Sequence, residues 1–307
     1  MSNFNAFKKL ARTASFILPS GIEAEIKEPM GSHQSLITKS DSNKKKKGIM
    51  KMLQDSIVRI GDKTHIDNVF FKKLLSEDVN FLLFRLGLLS NPDKVEEGEV
   101  ETLRFNYEFP VKGGRKVVEQ VEIEIDDENF PIQPYSWVKP LMIAQWKEDN
   151  EVDESIKLSE DQELEVFKNG FIPVYDSYEE MLEDQYERVY TISGDDIENI
   201  DVDWKLLNMK TQEENGRLLE SDDVNINTIL KMRKPTYLME TEGGPTRTSL
   251  PIDSIPSHIV EGLRKDILKT EANINTTFVV GSKSDPSLQQ QLNLISTPAF
   301  FFRSLGI

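Results

Sequence analysis

The sequence predicts an α+β protein assembled from modules in which a helix precedes a β-hairpin. The first observation is a segment at 76–90 that is apolar almost all round, as is typical of a buried helix. The second is the alternation of apolar and polar residues over 103–109 and again over 121–125, which indicates two half-buried strands. The third is that the order helix, strand, turn and strand recurs over 255–302. This recurrence reflects either an internal duplication or only a shared architecture.

Charge divides the chain into regions. The chain has 307 residues and a net charge of −16. Segment 148–203 holds 20 Asp and Glu against 3 Lys and Arg, a balance of −17 that leaves the remainder at +1. Residues 1–75 carry 14 basic and 7 acidic residues, a balance of +7. This separation predicts either complementary contacts, within one subunit or between neighbours, or two solvated faces that keep the protein soluble. We expect an N-terminal module at 1–147, an acidic insertion at 148–240 and a C-terminal module at 241–307.

Two elements precede the apolar helix. Residues 40–47 (SDSNKKKK) are polar and aperiodic, which predicts a flexible loop. The lysine run could attract phosphate, but no aromatic side chains are interleaved to stack on bases. A helix should follow, because the apolar residues at 49–60 recur at helical spacing and Gly61 can end it.

The apolar helix and the hairpin after it have recognisable boundaries. Ser76 can cap the helix, and Glu77 and Asp78 suit the positive end of its dipole. Asn91-Pro92 should close it. Residues 112–115 (KGGR) supply the turn of the hairpin.

The middle of the chain has a weaker pattern. Prolines at 131–140 predict irregular backbone, and short helices are expected at 179–190 and 224–232. Trp204 and the two leucines after it are predicted to anchor this segment to a core. A glycine-containing linker is expected at 240–251.

The C-terminal module begins with a helix whose apolar residues at 255–267 form one stripe, with Pro256 suited to its first turn. A strand at 274–280 and a return strand at 288–294 follow. The chain then reaches Phe300-Phe301-Phe302.

Composition excludes several kinds of active site. The chain has no cysteine, which excludes disulfides, thiolate metal ligands and cysteine nucleophiles, and its three histidines do not suggest a metal site. There is no phosphate-binding loop, dinucleotide fingerprint or nucleophile elbow. No apolar stretch approaches the ~20 residues that span a bilayer. We therefore predict no catalytic residue, no cofactor and no membrane contact.

One acidic cluster has oxygen ligands of the kind calcium prefers. Its members are Asp195, Asp196, Glu198, Asp201 and Asp203. Because the glycine and the final glutamate of an EF-hand loop are missing, we predict no bound metal. The alternative is an acidic face with the apolar residues between the carboxylates, Ile197, Ile200, Val202 and Trp204, turned inward.

Three short stretches resemble a family of T-even-type phage baseplate hub and tail-assembly proteins. The first is Leu18-Pro19-Ser20-Gly21, with strand-like residues and Glu28-Pro29 after it. The second is Leu74-Leu75-Ser76-Glu77-Asp78 leading into Phe81-Leu82-Leu83-Phe84-Arg85. The third is the closing hairpin with Phe300-Phe301-Phe302-Arg303. The resemblance touches roughly half of the chain and leaves out 148–240.

The chain departs from this family at the hairpins. Members of the family often carry a Cys-x-x-Cys knuckle there, whereas this chain has PVKGG at 110–114 and VGSKS at 280–284. A bare turn therefore takes the place of any metal knuckle.

The resemblance implies a non-enzymatic structural component of a contractile phage tail baseplate, in the hub region. Such a protein binds other tail proteins, is assembled in the host cytoplasm and ends in the virion, where it can be oligomeric. Nucleic acid is not an expected partner. Two alternatives stay open: a tail-assembly chaperone absent from the mature particle, and a phage enzyme such as a wall hydrolase.

Six apolar residues are the candidates for contacts with other tail proteins. They are Phe81, Phe84, Leu88, Phe300, Phe301 and Phe302. For the three in the helix, ordinary core packing is an equal alternative. For the terminal triplet we favour an interface, because chain ends usually lie at the surface and exposed phenylalanines need to be covered.

Overall fold

The computed structural model describes residues 11–37, 42–90, 95–97, 100–110, 116–125, 132–167, 171–194, 197–215 and 230–301. The described residues form ten α-helices, α1–α10, and fourteen β-strands, β1–β14. Every pairing between these named strands is antiparallel. The predicted α+β class is therefore confirmed.

The first three strands form one sheet in the order β1-β2-β3: β1 (Thr13–Ile17), β2 (Glu23–Lys27) and β3 (Ile57–Ile60). In β2, Ala24 and Ile26 are buried while their neighbours are partly exposed, so the alternation selects the face that meets the core. The turn between β1 and β2 places Gly21 at φ +83°, a backbone conformation that glycine adopts without strain.

Two helices connect β2 to β3: α1 (Gly31–Ile37) and α2 (Ser42–Ser56). The predicted loop is wrong where it is described, because α2 begins at Ser42 and includes all four lysines. Lysine is a good helix former, and the buried Ile49, Met52 and Leu53 hold the helix against the core. The predicted helix was also too long, since its last four residues form β3.

The next helices are α3 (Asn68–Lys73) and α4 (Ser76–Ser90). Asp67 caps α3, because its carboxylate accepts a hydrogen bond from Phe70 N at 2.7 Å. The predicted helix at 76–90 is confirmed at both ends. The capping role predicted for Ser76 is wrong, because its hydroxyl is buried and makes no hydrogen bond.

The predicted hairpin is confirmed within a three-stranded sheet of order β4-β5-β6: β4 (Val95–Glu97), β5 (Val100–Pro110) and β6 (Lys116–Ile125). Leu103 pairs with Ile123 and Phe105 with Val121, and all four are buried. The period of two in the sequence therefore marks the core face. The turn predicted at 112–115 lies outside the described residues.

Helices and strands occupy the middle region, where the sequence pattern is weak. They are β7 (Ile132–Gln133), α5 (Val138–Asp149), α6 (Glu160–Phe167), α7 (Tyr178–Gln185), β8 (Glu187–Gly194), β9 (Ile197–Lys205) and α8 (Met209–Glu214). The irregular backbone predicted at 131–140 is wrong from Val138 onward, because Pro140 stands in the first turn of α5, where a missing N–H costs little. Only the first half of the helix predicted at 179–190 is helical. The helix predicted at 224–232 lies mostly outside the described residues.

A four-stranded sheet of order β11-β10-β9-β8 adds β10 (Thr236–Thr241) and β11 (Gly244–Ser249). The linker predicted at 240–251 is therefore wrong, because much of it forms this hairpin around its glycines. Val202 and Trp204 of β9 are fully buried, as predicted, and Trp204 Nε1 donates to Asp266 at 3.1 Å. Ile200, by contrast, is 36 % exposed, so its predicted inward orientation is wrong.

The last elements are α9 (Ser257–Thr270), β12 (Asn273–Ile274), β13 (Thr277–Gly281), β14 (Gln289–Asn293) and α10 (Pro298–Phe301). The predicted helix and hairpin are confirmed, although Pro256 is the N-cap residue and does not lie inside the first turn. A duplication is not shown. Strands β5 and β6 have 11 and 10 residues within a three-stranded sheet, whereas β13 and β14 have 5 each and, among the described strands, form a two-stranded sheet.

The hydrophobic core runs through all three predicted units. Leu82 of α4, Tyr178 of α7 and Leu263 of α9 belong to one cluster of buried residues. Strand β7 pairs with β12, and Ser136 N donates to Thr270 O at 3.0 Å. The core does not divide at the boundaries predicted near 148 and 241, and a separate acidic insertion is not shown.

Candidate protein-binding groove

Five of the six predicted interface residues lie in the chain's own core. The exposed fraction is 6 % for Phe81, 3 % for Phe84 and 4 % for Leu88, while Phe300 and Phe301 are fully buried. For Phe300 and Phe301 the favoured interface is corrected to core packing, and for the three helix residues the burial agrees with the alternative of core packing. Phe302 lies outside the described residues.

The reason for this burial is that α10 covers α4. The rings of Phe84 and Phe300 stack with their centroids 6.2 Å apart. Gly87 makes room for this contact, because a Cβ there would lie 2.0 Å from the ring of Phe300. On another side of α4, Phe81 meets Phe16 of β1 edge-on at 5.5 Å. A helix that is apolar on nearly every side is thus covered by its own chain.

The N-terminus of α4 carries a buried polar node. Asp78 accepts hydrogen bonds from Ser20 N at 3.1 Å and from the Tyr178 hydroxyl at 2.7 Å. The same hydroxyl accepts from Leu75 N at 2.8 Å, and Trp137 Nε1 donates to Ser20 O at 3.1 Å. The node therefore joins the β1–β2 turn to α4, α5 and α7.

Two of the three short stretches quoted in the sequence analysis, 18–21 and 74–78, meet in this node. Burial raises the pKa of Asp78 to about 6, although the hydrogen bonds from Tyr178 and Ser20 oppose the rise. Because Asp78 is fully buried and its oxygens bond to neighbouring elements, the node stabilises the fold. Sequence patterns do not identify Tyr178 as the partner of Asp78, since the two residues are 100 positions apart.

A second group of buried charges lies beside the node. Arg233 Nε donates to Glu271 Oε1 at 3.1 Å, and its terminal nitrogen bonds to the other oxygen. The two side chains are only 5 % and 17 % exposed. Burial raises the pKa of Glu77 to about 7, against the effect of its hydrogen bond with Asn80. The Arg233–Glu271 pair joins the residues before β10 to the end of α9, and both charges act electrostatically on Glu77 of α4.

Acidic and basic regions of the chain touch at Glu179. Its two oxygens lie 3.0 Å from Lys73 Nζ and 2.8 Å from Lys63 Nζ. Of the alternatives predicted for the separated charges, these ion pairs are the complementary contacts within one subunit. The side chains are 37 % to 47 % exposed, so solvent screens both pairs and they contribute little to stability.

A groove opens between α2, α3 and α8 on the basic side of the molecule. It has a volume of about 380 Å³. Its principal side chains are Lys46, Lys47, Met50 and Lys51 of α2, Lys72 of α3 and Met209 of α8. The α2 residues follow the 3-4 spacing of one helix face, so that face forms a complete wall.

Local packing aims this face of α2 outward. Ile49, Met52 and Leu53 turn toward the core, which places the lysines on the solvent side. Gly48 lets α2 lie close to the end of α1, because a Cβ there would be 2.4 Å from Leu36 O.

The groove combines an apolar floor with a cationic rim. Met50 and Met209 are partly buried and form the floor. Lys51 pairs with Asp55 at 2.7 Å, and Lys72 pairs with Glu213 at 2.7 Å. Lys46 and Lys47 are exposed and form no ion pair with any described residue. Such a surface favours an anionic partner that also has an apolar face.

The sequence pattern concealed this site. The lysine run at 44–47 has no apolar residue of its own, so it reads as a loop. The available signal was the apolar period that starts at Ile49, because extending it backward by two turns places the lysines on one helix.

The carboxylates of the calcium candidate are only partly described, since Asp195 and Asp196 lie outside the described residues. Asp201 accepts from the Thr191 hydroxyl at 2.6 Å, and Asp203 pairs with Arg247 at 2.9 Å. In the described part of the chain, no three His, Asp or Glu side chains converge as metal ligands would.

Comparisons with known proteins give no assignment. The chain has no significant match among protein-family models, curated proteins or solved structures. Among the described helices, none combines the length and apolarity needed to cross a bilayer. The groove is therefore judged by its chemistry alone.

Proposed function

We propose that the chain is a non-enzymatic protein-binding component of a contractile phage tail baseplate, in the hub region. The observation that carries protein binding is the groove between α2, α3 and α8. Its floor of partly buried methionines suits apolar side chains, and the exposed lysines on its rim suit carboxylates. The assignment to a tail comes from the resemblance of the three stretches to the baseplate family.

This proposal moves the contact surface from the phenylalanines to the groove. Because Phe84, Phe300 and Phe301 pack within the chain, they contribute to binding only by holding the scaffold together. The exposed side chains of α2 are accessible without any rearrangement of that scaffold.

The test is the presence of the protein in finished tails. Mass spectrometry of tails purified from phage particles should detect the chain in a fixed ratio to the other tail proteins. Phage that lack the protein should fail to assemble tails. Normal tails in its absence would contradict the proposal.

The chaperone alternative differs in one outcome. If tails fail to form without the protein and yet contain none of it, the protein acts during assembly and leaves. A wall hydrolase would instead release soluble fragments from purified peptidoglycan, which the proposed component should not do.

A further inference from the structure

We infer that the groove between α2, α3 and α8 binds an acidic amphipathic α-helix of a partner protein. This inference rests on the proposed function and specifies the chemistry of the partner. The α2 wall extends from Asn43 to Gln54. At ~1.5 Å per residue that wall is about 16 Å long, which matches about three turns of an incoming helix.

The form of the groove favours a helix as its occupant. Helices form all of its walls, and an amphipathic helix is the element that lays an apolar face between such walls. Met50 of α2 and Met209 of α8 supply the floor from different helices. Their unbranched thioether side chains adapt to different apolar residues. An incoming helix would place its residues i, i+3 or i+4, and i+7 against this floor.

Charge complementarity determines the sign of the partner's charge. The lining includes four lysines and one carboxylate, that of Glu213. Lys46 and Lys47 have no ion pair with described residues, so they are available for partner carboxylates. Segment 148–203 carries −17 of the net charge of −16, so an acidic helix meets repulsion at that segment and attraction at this rim. That contrast orients the approaching partner.

The same lysines could attract a nucleic acid, but one feature disfavours it. None of the described lining residues is aromatic, so the groove offers no ring on which a base can stack. Binding of an oligonucleotide is therefore an outcome that would count against the inference.

The experiment uses the full chain and a fluorescein-labelled peptide of about 18 residues, or roughly 27 Å of helix. The peptide has leucines on one helical face and mostly glutamates elsewhere. A second peptide has the same composition with the leucines spread around the helix. Fluorescence anisotropy should give a dissociation constant at least about tenfold lower for the amphipathic peptide. Affinity should fall between about 0.1 and 1 M NaCl, as the Debye length shrinks from ~10 to ~3 Å.

Charge-reversal variants locate the binding. Lys46→Glu with Lys47→Glu should weaken binding at least about tenfold, because attraction becomes repulsion at two rim positions. The matched control is Lys265→Glu with Lys269→Glu, two exposed lysines on α9 far along the chain from the groove. The control should change affinity less than about twofold. All four positions are exposed, so the variants should fold, which circular dichroism checks.

Three results would overturn the inference. They are equal weakening by both double variants, equal binding of the two peptides, and competition by a single-stranded oligonucleotide that binds more tightly than the peptide. If the peptide does not bind although the protein is present in purified tails, the groove inference fails and the proposed function stands. If the peptide binds through Lys46 and Lys47 but tails assemble normally without the protein, the proposed function fails instead.

Discussion

Asp78 is the residue through which distant parts of the chain are connected. Its carboxylate is fully buried and joins Ser20, 58 residues earlier, to Tyr178, 100 residues later. The Tyr178 hydroxyl also satisfies Leu75 N, so loss of that hydroxyl would leave a buried donor without a partner, at a cost of about 1–3 kcal/mol. A single buried carboxylate thus fixes the relative positions of three elements.

Asp78 and the partly buried Glu77 next to it predict a pH dependence of stability. The pKa of Glu77 is raised to about 7 and that of Asp78 to about 6, so the folded state retains protons that the unfolded state releases. Each acid therefore stabilises the fold fully below its unfolded pKa, and this contribution is lost as the pH rises through the folded pKa. The free energy of unfolding should therefore fall between about pH 4, where Asp78 begins to titrate in the unfolded chain, and pH 7.

The variant Glu77→Gln should flatten this decline. At 1.36 kcal/mol per pKa unit, Glu77 accounts for up to about 3 kcal/mol of the fall. Urea unfolding at pH 5 and pH 7.5 measures the difference. Glu240→Gln, at an exposed position of β10, is the matched control and should retain the wild-type slope. An unchanged slope in Glu77→Gln would show that its carboxyl does not titrate differently in the folded chain.

Substitutions at Gly87 and Phe300 should have coupled effects on the free energy of unfolding. Phe300→Ala should cost about 3–5 kcal/mol through the cavity it leaves. Gly87→Ala should lower the free energy of unfolding by about 1–3 kcal/mol, because the new methyl group clashes with the Phe300 ring. The clash outweighs the helix propensity of alanine, which favours the variant by ~1 kcal/mol. In the double variant the new methyl occupies vacated space, so the cost should be smaller than the sum.

Chemical denaturation of the single and double variants measures this coupling. The control combines Gly87→Ala with Phe70→Ala, because Phe70 packs on Tyr178 near the other end of α4. The effects of these two substitutions on the free energy of unfolding should add to within about 0.5 kcal/mol. Additivity of Gly87→Ala with Phe300→Ala would place the Phe300 ring away from α4.

The sequence predicts the helices and strands in which the spacing of apolar residues is regular throughout. Helix α4 and the β5–β6 hairpin were predicted because most of the buried positions in α4 and the alternate, core-facing positions in the hairpin are apolar. Strand β8 was missed, because Val189 is 57 % exposed and the period of two is hidden. Helix α2 was missed at its start because the lysine run has no apolar residue. The groove was missed with it, since its walls come from three helices that only the tertiary fold brings together.

The start of α2 can be tested by proline. Lys46 is the fifth residue of the helix, so Lys46→Pro removes the hydrogen bond to the carbonyl of Ser42 and places a ring against it. The free energy of unfolding should fall by about 3 kcal/mol, whereas Lys46→Ala should change it by less than about 0.5 kcal/mol. Equal, small effects of the two substitutions would show that this segment is a loop and not the start of α2.

Across the whole molecule, each predicted unit supplies parts of the others' cores. The N-terminal region contributes α4, the middle contributes Tyr178 and Trp204, and the C-terminal region contributes α10 as the cover of α4. Charge composition marked the middle as separate, but composition reports on exposed side chains and not on the buried ones that determine domain boundaries. Trp204 was the one residue whose size pointed to a shared core.

This shared core predicts that a fragment of residues 1–147 does not fold alone. The fragment lacks Phe300, so Phe84 would lose the ring that stacks on it, and it lacks Tyr178, so Asp78 and Leu75 N would lose a buried partner. We expect weak near-UV circular dichroism, binding of a hydrophobic dye and no cooperative thermal transition, whereas the full chain should show a cooperative transition. Adding the complementary fragment 148–307 should restore near-UV signal, because the missing contacts are all on it. A cooperative transition in the isolated 1–147 fragment would establish it as an independent domain and would separate the core at the boundary that the charge pattern suggested.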